Sequence, residues 1–143
     1  MLCGFIVGFE RQIHNKPIDI RTSVLICLGT MSFVFLGEIL PGEKDSTRVL
    51  GQIATGIGFL GAGAIITRQE GLVIGMTSAS VVWVLAGIGA AIGFGEFEMG
   101  LALSLVTVFV LSGLHWVDNL TDGWKKKSGS RSHGHASAKH TEE

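Results

Sequence analysis

Thr55-Gly56-Ile57-Gly58-Phe59-Leu60-Gly61-Ala62-Gly63-Ala64-Ile65-Ile66 is the stretch whose reading decides the fold. It carries no charge, and Gly56, Gly58, Gly61 and Gly63 fall within eight consecutive positions. In a water-soluble helix each interior glycine costs about 0.5–1 kcal/mol relative to alanine. In lipid a glycine has a use, because it lets a second backbone approach where hydrophobicity cannot drive helices together. The stretch therefore predicts a central, tightly packed transmembrane helix from about Arg48 to Ile66, with the other segments arranged around it.

Working outward along that helix, Gly51, Thr55, Gly58 and Ala62 recur at i, i+4, i+7 and i+11 and make one small-residue face. A second such face, Gly89-x-x-x-Gly93, lies in a later apolar run. Two readings stay open. The faces serve close helix–helix packing, or a glycine-broken helix exposes carbonyls to an ion or solute path. Gly56-x-Gly58-x-x-Gly61 also matches the dinucleotide fingerprint, but that motif needs a strand before it and a helix starting at it. Here the glycines sit well inside an apolar span, and no phosphate-binding GxxxxGK[ST] occurs.

Of the 143 residues, 47% are hydrophobic and 16% charged, against about 25% charged in an average soluble domain. Glycine, at 21 residues, is about twice as frequent as usual. The composition predicts an all-α, polytopic membrane helix bundle, with the lipid bilayer as its first partner. A net charge of −1 gives no case for nucleic acid. Cys3 and Cys27 stand far apart in apolar runs and read as small apolar side chains. No pattern calls for a catalytic group, a metal or a cofactor.

The first apolar run, Met1 to Phe9, is shorter than the roughly 20 residues a span needs. It reads as the second half of a truncated helix. Glu10 to Thr22 reads as a polar loop, with Pro17 as its stop and Asp19 able to cap the next helix. Ser23 to Leu40 is the second span, Pro41-Gly42 a turn, and Asp45 or Ser46 the cap of the glycine helix. Thr67 to Gly75 is a short loop, Met76 to Phe94 a fourth span rich in small residues, and Gly95 to Glu98 a turn. Met99 to Val117 is a fifth span, with Trp116 and Trp124 as interfacial anchors. About five spans result, in a transmembrane domain over 1–120. A Ser-, His- and Lys-rich tail over 121–143 is expected to be disordered. Its His133, His135 and His140 read as solvated rather than as a metal site.

Lys and Arg are concentrated in the first and third loops and the tail, nine against two in the second loop. The positive-inside rule then puts the tail in the cytoplasm and the N-terminus outside. Candidate polar residues are few. Glu10, Arg11, Lys16, Arg21 and Thr22 cluster at the expected cytoplasmic face, where they set topology, meet headgroups or dock a partner. Arg48, Gln52 and Thr55 give the glycine helix a polar start, and Gln52 calls for a partner such as Thr77, Ser78, Ser80 or a ligand. No acidic side chain lies at a span centre, which argues against a carboxylate-lined cation path.

In order along the chain, Glu10-Arg11, Lys16-Pro17, Arg21-Thr22, Asp45-x-x-Arg48, Gln52 and Gly56-Ile57-Gly58-Phe59-Leu60-Gly61-Ala62-Gly63 resemble the MgtC/SapB family. Gly75-Met76-Thr77-Ser78-Ala79-Ser80-x-x-Trp83 is similar to a later block of that family. The chain departs from the family pattern at Asp19 and Ser46, where glycine and proline are usual. The resemblance covers roughly residues 4–112. It implies a bacterial inner-membrane protein with a role in magnesium homeostasis and growth at low Mg²⁺, and in pathogens with virulence. It further implies action on other integral membrane proteins, the ATP synthase among them. The alternative it carries is a transporter or channel for Mg²⁺ or another small solute, working as a homo-oligomer. Some family members carry a C-terminal domain resembling an ACT domain, and the tail here is too short for one.

Overall fold

The computed structural model describes residues 1–40, 45–67 and 73–129. Its elements are α1 (Leu2–Ile13), α2 (Ile20–Ile39), α3 (Ser46–Gly63), the strands β1 (Ile66–Thr67) and β2 (Val73–Ile74), α4 (Met76–Gly93) and α5 (Phe97–Gly129). The architecture is the expected all-α membrane bundle. Two compact units divide it, Met1–Phe109 and Val110–Glu143. In the second unit the described backbone is helical as far as Gly129, inside the stretch expected to be disordered. The turn at 41–44, the loop residues Arg68 and Glu70, the side chains of Trp116 and Trp124, and the histidines of the tail lie outside the described residues.

Local chemistry sets the helix starts. Asp19 caps α2 by accepting the Thr22 backbone N–H at 2.8 Å. Asp45 does the same for α3, accepting from Arg48 N at 2.9 Å. Each satisfies an orphan donor of a first turn. α4 starts differently, from Gly75 at φ 94°. A side chain there would be strained, and its Cβ would collide with the Ala64 carbonyl oxygen at the end of α3. The loop between α3 and α4 also holds a feature not read from sequence. Ile66 pairs with Ile74 and Thr67 with Val73 as a short antiparallel ladder.

α4, not α3, is the centre of the first unit. It packs on α2, α3 and α1. Its buried set runs its length, from Ser78, Val81 and Val82 through Leu85, Ala86 and Ile88 to Gly89, Ala90 and Ala91. α3, expected to be central, buries only Ile57 and Gly61. Among the described residues α2 and α4 are long and apolar enough to cross a membrane, and Phe97–Gly113 is a shorter apolar stretch. In α3 the glycines, threonines, Arg48 and Gln52 dilute the hydropathy. The expected first loop is also shortened, because α1 continues through Glu10 and Arg11 to Ile13.

Apolar surface is turned outward: Phe9, Leu25, Phe33, Phe59, Trp83 and Phe109 are each at least half exposed. Water would penalise such a surface, and lipid tails do not. Burial inside the bundle therefore gains little by leaving solvent. Close van der Waals packing and hydrogen bonds hold the helices together instead.

Candidate functional site

The α2–α4 seam is closed at two glycines. A Cβ at Gly89 would stand 2.5 Å from the Cys27 carbonyl oxygen and 2.9 Å from Thr30 Cβ. One at Gly93 would stand 2.7 Å from Val34 Cβ. The α1–α2 seam is built the same way, with Gly8 against Ile20 Cα at 2.6 Å and Gly4 against Cys27 Sγ at 3.1 Å. These glycines are consumed by the fold.

Arg11 continues the Gly4–Gly8 face of α1 by one more turn. It is 1% exposed, and its Nη2 donates to Ser78 Oγ on α4 at 2.5 Å. Ser23, fully buried on α2 beside Gly8, has no hydrogen-bond partner for its hydroxyl, nor has Arg11 Nε, among the described residues. Glu10 is 6% exposed. His14 Nδ1 lies 2.8 Å from the Glu10 carbonyl oxygen and 3.1 Å from its Oε1. The backbone contact is the hydrogen bond, and the carboxylate contact is electrostatic and needs a protonated imidazole. Glu10 and Arg11, expected at a membrane surface, thus form a buried polar knot at the joined ends of α1, α2 and α4. The spacing Gly4, Gly8, Arg11 was the signal that could have placed Arg11 inside. Lys16, between α1 and α2, and Arg21, in the first turn of α2, are exposed. Thr22 donates its hydroxyl to Asp19 at 2.8 Å. With the Thr22 N–H first and that hydroxyl second, the Asp19 carboxyl is held below its ordinary pKa.

α3 presents the opposite situation. Among the described residues, a Cβ at Gly51, Gly56, Gly58 or Gly63 would meet nothing within 4 Å. Gly61 alone touches α4, with Ala79 O and Trp83 Cδ1 each 3.7 Å from its Cβ position. Thr55 spends its hydroxyl on the Gly51 carbonyl at 2.9 Å, so the Gly51–Thr55–Gly58–Ala62 face is bare and without a free polar group. Gln52 makes no bond to Thr77, Ser78 or Ser80. Ser78 takes Arg11, Ser80 donates to Met76 O at 3.0 Å, and Thr77 is exposed.

A second face of α3 repeats the same spacing two residues earlier, at Val49, Ile53, Gly56 and Leu60. It forms one wall of an open groove of about 790 Å³ against α2. Leu25, Ile26, Gly29 and Phe33 line the α2 wall, and Arg48 and Gln52 line the α3 wall near its start. Thr55 is not among its lining residues, so the groove gathers only part of the polar set expected on this helix. Near the start of α3, Arg48 Nε stands 4.0 Å from Asp45 Oδ2, with the two side chains 75% and 49% exposed. No group of three or more metal-ligating side chains occurs among the described residues.

The sequence profile of the MgtC family matches residues 1–120. The chain is 39% identical over 121 residues to "Putative magnesium transporter YhiD" of Escherichia coli K12, covering 79% of this chain and 55% of that protein. It is 37% identical over 111 residues to "Protein MgtC" of Brucella abortus, covering 78% and 45%. It is 30% identical over 124 residues to "Protein SapB" of Bacillus subtilis, covering 81% and 53%. The chain thus spans about half the length of these relatives. No solved structure matches it.

Proposed function

The chain belongs to the MgtC family, and from that premise we propose that it is a non-enzymatic inner-membrane module that binds another integral membrane protein in the response to scarce Mg²⁺. The observation that carries the reading is the bare Gly51–Thr55–Gly58–Ala62 face of α3. Bare glycine backbone at membrane depth forgoes packing that a second helix restores. In a pathogen this role extends to survival inside a host, and the ATP synthase is the partner that the family resemblance suggests. The exposed basic residues Lys16, between α1 and α2, and Arg21, in the first turn of α2, favour a cytoplasmic α1–α2 connection.

Photo-crosslinking from α3 in native membranes tests it. Gly58→Leu is expected to abolish a specific heterologous adduct and the growth advantage at low Mg²⁺, with the protein still folded. Purified protein in liposomes is expected to pass no Mg²⁺. Mg²⁺ uptake by such liposomes, blocked by the same substitution, would overturn the reading. It would favour the alternative of an oligomeric transporter, which the printed name of the Escherichia coli relative supports.

A further inference from the structure

We propose that the α2–α3 groove is a phospholipid site, with an acyl chain in its apolar trough, a phosphate on Arg48 and an ethanolamine ammonium on Asp45. This inference is independent of the partner face, which lies on the other side of α3.

Size selects the occupant first. A transmembrane helix about 10 Å across and about 30 Å long has roughly three times the volume of the groove. The groove's 790 Å³ lies inside the range of sites that take a single small ligand. In a bilayer such a trough does not stay dry and empty, since lipid tails surround it. Polarity along the trough selects next. Leu25, Ile26, Ile57 and Leu60 line one stretch, beside Thr22, whose hydroxyl is spent on Asp19, and beyond Thr30 the lining passes to Gln52 and Arg48 toward the start of α3. Apolar length with a cationic end is the complement of a phospholipid.

Charge at that end selects the headgroup. Arg48 is 75% exposed and its ion pair with Asp45 is long, 4.0 Å through Nε. Its remaining N–H groups are available to a phosphate. Asp45 uses Oδ1 on the Arg48 backbone N–H at 2.9 Å, and Oδ2 is the atom facing the long ion pair. A purely anionic headgroup would meet Arg48 and be repelled by Asp45. A zwitterion satisfies both. Gln52 lies one turn deeper and lacks a hydrogen bond among the described residues, so its amide is placed to donate to an ester carbonyl.

The test is native mass spectrometry of the full chain released from micelles holding equal phosphatidylethanolamine and phosphatidylglycerol of the same acyl chains. The expected result is one retained lipid, enriched in phosphatidylethanolamine. Arg48→Gln is expected to lower retention of both lipids about tenfold. Asp45→Asn keeps a good helix cap and is expected to remove only the headgroup preference. Gly56→Leu fills the trough, where a Cβ meets nothing within 4 Å, and is expected to lose the lipid while keeping the partner adduct. Gly58→Leu is expected to do the reverse. Equal retention of both headgroups, or unchanged retention in Gly56→Leu, would overturn the proposal. So would a crosslink between two copies across Phe33 and Ile53, which puts protein in the groove.

Discussion

Gly89 and Gly58 are both helical glycines in small-residue faces of the same unit, yet they live in different physical surroundings. At Gly89 the Cβ that is missing would stand 2.5 Å from the Cys27 carbonyl oxygen, whereas at Gly58 it would meet nothing within 4 Å. The first glycine permits a helix contact that exists. The second permits a contact that the described residues do not make. The α2–α4 seam is therefore a part of the molecule that specifies the fold, and the Gly51–Thr55–Gly58–Ala62 face of α3 is a part that the described residues leave open.

The sharpest way to break this contrast is Gly89→Leu. The Cys27 carbonyl and Cys27 Cα, 2.5 and 3.0 Å from the Cβ position, are backbone and cannot rotate away. The expected cost is about 3 kcal/mol or more, read as loss of the monodisperse species in detergent. If Gly89→Leu survived while Gly58→Leu unfolded, the assignment of the two faces would be inverted.

Smaller, and aimed at the knot beside the seam, is Ser78→Ala. It removes the one hydrogen-bond partner that the Arg11 guanidinium has among the described residues. Arg11 stays buried with its charge, so the expected loss is about 1–3 kcal/mol in denaturant unfolding. Arg11→Met removes donor and charge together and is expected to cost less than the buried, unpartnered guanidinium does. A Ser78→Ala protein as stable as the parent would mean that other groups satisfy Arg11.

These two sites also show what a sequence can and cannot reveal. The caps Asp19 and Asp45, the small-residue character of α4 and the membrane class were legible, because each depends on residues near one another in the chain. Which glycine stripe is used was not. Gly51–Thr55–Gly58–Ala62 and Gly89–Gly93 carry the same kind of spacing. What decides between them is that Cys27, Thr30 and Val34 of α2 meet the second and not the first. The burial of Glu10 and Arg11 was hidden for a similar reason. Pro17 marks where a helix must have stopped, and says nothing of how much earlier it stops. The groove was invisible because its walls come from two helices whose spread is a tertiary quantity.

A milder probe of the tight region is pH. Asp19 sets the start of α2, which brings Ile20 and Ser23 against Gly8. Its carboxyl is held below the ordinary value of 3.8, first by the Thr22 N–H and then by the Thr22 hydroxyl. A lowered folded pKa means that the carboxylate's contribution is complete above the ordinary value. It is lost as pH falls through the lowered one. Asp19→Asn keeps the cap and is expected to flatten that acid limb in unfolding measured between neutral pH and about pH 3. An unchanged acid limb would assign it to other carboxylates.

The smallest expected effect carries the opposite sign. At Gly58 the helix is regular and the Cβ position is open. Gly58→Ala should therefore stabilise α3 by about 0.5–1 kcal/mol through helix propensity. A glycine that a single substitution improves is not retained for the stability of the single chain. If the same Gly58→Ala protein unfolds later in denaturant yet yields less of the heterologous crosslink, the glycine serves a backbone approach from outside. If it is destabilised instead, α3 already has a neighbour there in the isolated protein, and the contrast between the two faces fails.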